Sequence, residues 1–374
     1  MLAAPPPPDG TLYRGDAGIA LAFAYLDAAD PQEVFANATA RHCERAVAAI
    51  GATLHDASLH GGLAGVGWLL EHLRREGRCA LEIEGAPALR DAVFVRLARP
   101  DAAMDVDLST GVAGIGVYAV ELGDLELLTA AVRRLGEQAE RHDHGVAWRT
   151  RAAALSEPYR TVFPDGVLDV GVAHGVAGTL AALSAASAAS VVGARALLES
   201  AVDWLLAQPR PRDGVGRFAT WGLDSAADVS ARAAWCYGDP GIACALAAAG
   251  GVGVDAARAA AVETARMAAL RSADTSRVAD AAICHGSAGL AVIFARLSRA
   301  IGSAELQAAT TTWTLRTIDY LERDGFGPHR MPAEPICFAG SGLLSGAAGV
   351  LLALLSVATH VGAAWDRALA LSVP

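Results

Sequence analysis

A short unit, Gly-x-x-Gly followed by a run of small and apolar residues, recurs seven times along this chain. It constrains the fold more than any other feature of the sequence. The unit reads YRGDAGIALAF (Gly15, Gly18), HGGLAGVGWLL (Gly62, Gly65), LSTGVAGIGVYAV (Gly111, Gly114) and AHGVAGTLAAL (Gly175, Gly178). It continues as CYGDPGIACAL (Gly238, Gly241), CHGSAGLAVIF (Gly286, Gly289) and LSGAAGVLLAL (Gly346, Gly349). First glycines are separated by 47, 49, 64, 63, 48 and 60 residues. A base unit of about 48 residues suits a pair of helices with their loops, and the longer intervals mark insertions. Paired glycines at a helix entry answer to positive φ or to close backbone approach. The apolar run that follows predicts a buried helix. Between units lie more polar stretches, Asp124–His142 and Ala256–Arg271, which predict amphipathic helices. In the second, Ala259, Val262, Ala265 and Arg266 space out the expected inner face, against charges at Arg258, Glu263 and Arg271.

Buried and amphipathic helices that alternate in this way predict an all-α protein, an (α/α)7 toroid with seven inner and seven outer helices. An open solenoid is the alternative, but it needs polar capping repeats, and the C-terminal repeat has none. The insertions His144–Gly166 and Gln208–Ser225 carry Pro and Gly punctuation, the second in a hairpin-like pattern. In a toroid they crowd one mouth. No linker divides the chain, so residues 1–374 are expected to form a single domain.

Composition narrows the function. The 374 residues are 53% hydrophobic and 19% charged, which excludes a disordered chain. A net charge of −10 argues against a nucleic-acid binder, whose phosphate contacts need a basic face. Six cysteines in this length do not make a disulfide scaffold, and the N-terminal MLAAPPPPDG lacks a signal-peptide pattern. A cytoplasmic location is the expectation. Ile336–Trp365 and Val170–Gly193 hold no Asp, Glu, Lys or Arg and are long enough to span a bilayer. Because the same pattern recurs in every repeat, they read instead as buried helices with their loops.

Side chains just before the glycines converge on one mouth: Asp107 and Thr110, Asp169 and His174, Arg232 and Cys236, Cys284 and His285. Cys236 with the adjacent pair Cys284 and His285 is the sharpest feature. Two thiols and an imidazole are three zinc ligands, and a fourth place left open is the arrangement of a catalytic site. Cys43, Cys79, Cys244 and Cys337 lack such partners and read as core thiols. His60 reads as loop packing, Asp169 as a cap or loop residue, and Asp239-Pro240 as turn chemistry.

The segments WCYGDPG (Trp235–Gly241), ICHGSAGL (Ile283–Leu290) and GVAHGVAG (Gly171–Gly178) resemble the signatures of the lanthionine synthetase C-like family. The resemblance runs through all seven repeats. It implies a zinc enzyme that closes thioether rings in a ribosomally made precursor peptide, by adding cysteine thiols to dehydroalanine or dehydrobutyrine. By that likeness Cys236, Cys284 and His285 match the zinc ligands, with a water or the substrate thiolate as fourth ligand. His174 matches the acid/base histidine, and Asp107, Arg232 and Tyr237 match further active-site positions. His174 would take or return a proton, Arg232 would stabilise an enolate oxygen, and Asp107 would orient one of them. The expected partners are the precursor peptide, a separate dehydratase that makes the dehydroamino acids, and a transporter complex. Other readings are addition of glutathione or another small thiol, a toroidal glycosidase using Asp107 and Asp169, and an inactive peptide-binding scaffold.

Overall fold

The computed structural model describes residues 9–78, 86–99, 104–222, 229–325, 329–330, 337–338 and 340–372, the backbone alone at 329–330 and 337–338. Seven helices begin at the Gly-x-x-Gly units: α1 (Asp16–Ala29), α3 (Leu63–Arg75), α5 (Val112–Leu122), α8 (Val176–Ala188), α10 (Asp239–Gly251), α13 (Ser287–Ile301) and α15 (Ala347–Ala358). Each packs on the next, and α15 packs back on α1, so the inner ring closes. Outside them lie α2 (Glu33–Ala48), α4 (Ala86–Ala98), α6 (Leu125–Gln138), α9 (Ala194–Leu206), α11 (Asp255–Ala269) and α14 (Ala304–Asp324), each against the inner helix before it. Two short helices, α7 (Glu157–Val162) and α12 (Ala273–Ser276), sit in connections.

This is the expected (α/α)7 toroid, and its closure is written in the backbone. The residue two before each first glycine donates its N–H to the carbonyl of the same position in the next repeat. The circuit runs Tyr13 to His60, His60 to Ser109, Ser109 to Ala173, Ala173 to Cys236, Cys236 to Cys284, Cys284 to Leu344, and Leu344 back to Tyr13. These seven bonds span 2.8–3.2 Å. A buried loop must satisfy its peptide groups somewhere, and here the repeats satisfy one another.

The glycines are required by close approach. A Cβ on the second glycine of any unit would lie 1.9–2.5 Å from the carbonyl oxygen of the residue six before it, for example Trp235 against Gly241. Positive φ is needed at one first glycine alone, Gly238 at +101°, where a Cβ would also strike the Arg232 carbonyl. Replacing Gly241 with alanine would therefore push α10 off its loop.

Inner helices rich in small residues explain the tight ring. In α8 every residue from Val176 to Ala186 is buried, and most are Ala, Gly or Ser. Such helices approach to the low end of the usual 8–10 Å spacing. Outer helices bury one stripe. In α11 that stripe is Ala257, Ala261, Thr264, Ala265 and Ala268, so of the face expected from sequence Ala265 alone is buried and the true stripe is rotated. The helix expected over Asp124–His142 stops at Gln138, because Glu140–His142 forms β1, paired antiparallel with β2 (Gly145–Ala147).

At the seventh outer place the chain departs from the pattern. Among the described residues, α15 is followed by a 3-10 turn, Ala364–Leu369, with Trp365, Asp366, Ala368 and Leu369 fully buried. The segment turns inward, burying its apolar side chains and pairing its two charges, Asp366 and Arg367, with the inner ring. It reaches elements all round the inner ring: Trp365 donates to Ser356 of α15, Asp366 pairs with Arg296 of α13, and Arg367 pairs with Glu121 of α5. The carbonyls of Ala368 and Leu369 accept from His60 and Trp235 in the loops that open repeats two and five.

Insertions follow outer helices and precede inner ones, which puts them on the mouth side. Residues 139–170 hold β1–β2 and a second antiparallel pair, β3 (Arg149–Thr150) with β4 (Val167–Leu168). The first insertion also holds α7, a helical turn its sequence did not announce. The second is anchored by an Asp169–Trp221 bridge rather than a hairpin among the described residues. A third, between α14 and α15, pairs β5 (His329–Arg330) with β6 (Cys337–Phe338). Neither charge-free stretch makes a long helix, and no helix among the described residues is long and apolar enough to cross a membrane.

Candidate metal centre and active site

Cys236 and Cys284 take neighbouring places in the seven-bond ring, and His285 follows directly, one residue before Gly286. One ligand atom from each of the three lies within 4.8 Å of the others. Among the described residues, this is the group of His, Cys, Asp and Glu placed to hold a metal ion. Cys236 and His285 are buried and Cys284 is half-buried. A hydrogen bond from the Cys284 thiol holds the Cys236 thiol well below the ordinary cysteine range, against the opposing effect of burial. His285 and the positive charge of Arg232 add to the effect. Cys284, the donor of that bond, is pushed up by it and by burial. A thiolate already favoured at one sulfur, a second sulfur beside it and an imidazole form a donor set that fits a tetrahedral, thiophilic divalent cation.

His174 occupies the place before Gly175 in repeat four, one repeat from Cys236. Its Nδ1 lies 3.0 Å from Oδ2 of Asp107. Asp107 comes from repeat three, where its carboxylate accepts from the Thr110 N–H at 2.6 Å and from the Thr110 hydroxyl. A carboxylate can only accept, so Nδ1–H points at Asp107 and Nε2 is the other, available edge. The His174 side chain keeps 41% of its surface, while the Asp107 carboxylate beneath it keeps 4%. Both observations describe a ring at the bottom of a recess. Burial alone would lower its pKa, but the hydrogen bond and charge of Asp107, with Asp169 and Cys236, overcome this and raise it to about 9. Burial likewise opposes ionisation of Asp107, and its bonds to His174 and Thr110 still hold it below the ordinary carboxylate range.

Tyr237 stands one residue before Gly238, with its hydroxyl bonded to Asp169. Burial pushes the Tyr237 phenol up, and burial pushes Asp169 up to about 6. Gly171 makes this packing feasible, since a Cβ there would lie 2.5 Å from the Cys236 carbonyl and 2.7 Å from the Tyr237 ring. Arg232 is half-buried, and its charge acts on both thiols.

The seven residues expected from sequence thus gather on four adjacent repeats, three to six. Asp169 is a loop residue as expected, its Oδ1 accepting from the Gly171 N–H at 2.7 Å. With Asp107 engaged by Thr110 and His174, and Asp169 by Gly171 and Tyr237, both carboxylates of the glycosidase reading are already committed to neighbours. His60 is packed: Nε2–H donates to the Ala368 carbonyl, Nδ1 accepts from Ser109, and burial lowers its pKa to about 4. Asp239 differs from expectation. Its two oxygens accept the N–H groups of Arg217 and Phe218, so it anchors the second insertion rather than shaping a turn. Cys43 and Cys244 are core thiols, while Cys79 and the Cys337 side chain lie outside the described residues.

Sequence reasoning missed a second recurring position. Six residues before the first glycine stands an Asp in five repeats: Asp9, Asp56, Asp105, Asp169 and Asp280. Its carbonyl accepts the first helical N–H, of Asp16, Leu63, Val112, Val176 and Ser287 respectively. Arg232 holds that place in repeat five. A tally by distance from the glycine would have revealed it.

The profile of the family described as lanthionine synthetase C-like protein matches residues 6–370. Among the 13 chains of solved structures that match is one titled nisin cyclase, with a TM-score of 0.77 and 20% sequence identity. The match covers 98% of this chain and 93% of that one. At this identity the likeness speaks for the fold, the same toroid. No curated protein matches the chain.

Proposed function

This chain belongs to the lanthionine synthetase C-like family, and we propose that it is a zinc-dependent cyclase that closes thioether rings in a dehydrated precursor peptide. One observation carries the reading. A cluster of two thiols and an imidazole lies one repeat away from a histidine that its carboxylate partner keeps protonated.

Cys236, Cys284 and His285 would hold the ion. Zinc bound there supplies one thing, a low enough pKa for a peptide cysteine thiol to react as thiolate near neutral pH. The chain's own residues do the rest. The peptide sulfur adds to the β-carbon of dehydroalanine or dehydrobutyrine, and the C=C electron pair moves to the adjacent carbonyl as an enolate. Arg232, permanently charged, faces that developing oxyanion. His174, protonated at neutral pH with Nδ1–H directed at Asp107, delivers the proton from its Nε2 side to the α-carbon. A pKa near 9 favours the acid role over the base role for this ring. Asp107 fixes the ring's orientation and charge. Tyr237, bonded to Asp169, lines the same recess.

The peptide and the dehydratase that prepares it act from outside this chain, as does any transporter. We place the reaction in the cytoplasm and assign the whole chain to one domain. The test is a dehydrated precursor peptide incubated with the protein, with free thiols counted by alkylation and mass spectrometry. Loss of thiols at unchanged peptide mass supports ring closure. A mass gain equal to glutathione, when that thiol is added, would move the activity to small-thiol addition. Full ring closure by Cys284→Ala would sink the zinc mechanism.

A further inference from the structure

We propose that Asp280 is a positioning residue for the metal ligand His285, holding Nε2–H and thereby presenting Nδ1 to the metal. The inference rests on the zinc reading above.

Asp280 is one of the five aspartates six residues before a first glycine, and the role that four of them share uses one side-chain oxygen. Oδ1 accepts the N–H two residues on in Asp9 (to Thr11), Asp56 (to Ser58), Asp169 (to Gly171) and Asp280 (to Ala282), at 2.7–3.0 Å. The second oxygen is available for another task. In repeat one it reaches the residue just before the glycine, Asp9 Oδ2 lying 3.1 Å from Nε of Arg14. In repeat six the residue at that place is His285. Asp280 Oδ2 lies 3.9 Å from its Nε2 and has no hydrogen-bond partner. Asp280 is 2% exposed and His285 7%.

A carboxylate oxygen buried without a partner is costly, and the group it faces is the explanation to seek. Metal-bound histidines commonly direct their other ring N–H at a carboxylate, which sets the tautomer and raises ligand basicity. The repeat geometry supplies that arrangement through an aspartate and a histidine five residues apart.

Asp280→Asn separates this role from loop capping. The Asn Oδ1 still accepts the Ala282 N–H, which turns the amide NH2 toward His285. An N–H donor facing Nε2 favours the tautomer with hydrogen on Nδ1, and that nitrogen then cannot ligate. The experiment is competition for Zn2+ between the folded protein and a chromophoric chelator, with thermal unfolding of the metal-free proteins alongside. Asp280→Asn is expected to bind Zn2+ about 10–100-fold more weakly with unchanged unfolding. Asp56→Asn, at the same loop position in repeat two, is expected to leave Zn2+ affinity unchanged. In the zinc-loaded wild type, 15N NMR should find the proton of His285 on Nε2. Wild-type affinity in Asp280→Asn, or a proton on Nδ1, overturns the proposal while leaving the zinc site standing. A folded wild type that binds no Zn2+ overturns both together.

Discussion

Two of this toroid's histidine–carboxylate pairs, nearly equal in length, sit in opposite surroundings. At the mouth, His174 Nδ1 meets Asp107 at 3.0 Å. Toward the far end of α3, about 14 Å from the helix start by its rise per residue, His72 Nδ1 meets Glu121 at 2.9 Å. His174 keeps one ring edge open to the recess. His72 keeps none: Nε2 bonds the Tyr25 hydroxyl at 3.0 Å, and Trp68 stacks on the ring with centroids 4.5 Å apart. Glu121 is closed in as well, by two bonds from Arg367 of the inward-turning segment. The pair itself therefore confers no chemistry. Access of the second nitrogen, and a thiol cluster beside it, separate the proposed proton donor from a strut.

The comparison breaks down if the two pairs respond alike to mutation. His174→Gln should lower ring closure by about 10²–10⁴-fold while leaving zinc content and unfolding close to wild type. Steady-state kinetics and metal analysis on one preparation would check this. Glu121→Leu should do the reverse. Removing one member of a buried ion network takes the carboxylate from His72 Nδ1 and leaves Arg367 with Glu76 alone, at a cost of about 3–5 kcal/mol in urea unfolding, with activity per folded molecule retained. An inactive but stable Glu121→Leu protein would contradict the assignment of this pair as structural.

Asp107→Asn sharpens the comparison through pH. The folded-state pKa of His174 is raised from 6.5 to about 9, so the charged ring is stabilised by folding. That contribution is fully present below about pH 6.5 and is lost as pH rises through about 9. The stability difference between wild type and Asp107→Asn should accordingly shrink across this window. The alkaline limb of the rate profile should move to lower pH in the variant, as the acid form of His174 is lost earlier.

The toroid was legible because its constraint repeats: one glycine pair per inner helix, each forced by a carbonyl of its own loop. The zinc-ligand candidates were legible for the same reason, since Cys236 and Cys284 occupy the same place in successive repeats. Asp280 escaped notice because its signal lies in a second register, six residues from the glycine, and emerges when repeats are aligned. The inward turn after α15 could not be read from period or charge. Its stretch is short, and its partners, His60, Glu121, Trp235 and Arg296, are scattered through the chain. The Glu121–His72 pair is hidden in the same way, 49 residues apart on helices that the sequence alone does not rotate into register.

Elemental mass spectrometry of the purified wild type beside Cys284→Ala tests the central claim most directly. The account predicts about one zinc per wild-type chain and none retained by the variant. A folded wild type without zinc, or a variant that keeps it, would contradict the assignment of Cys236, Cys284 and His285 as the metal site.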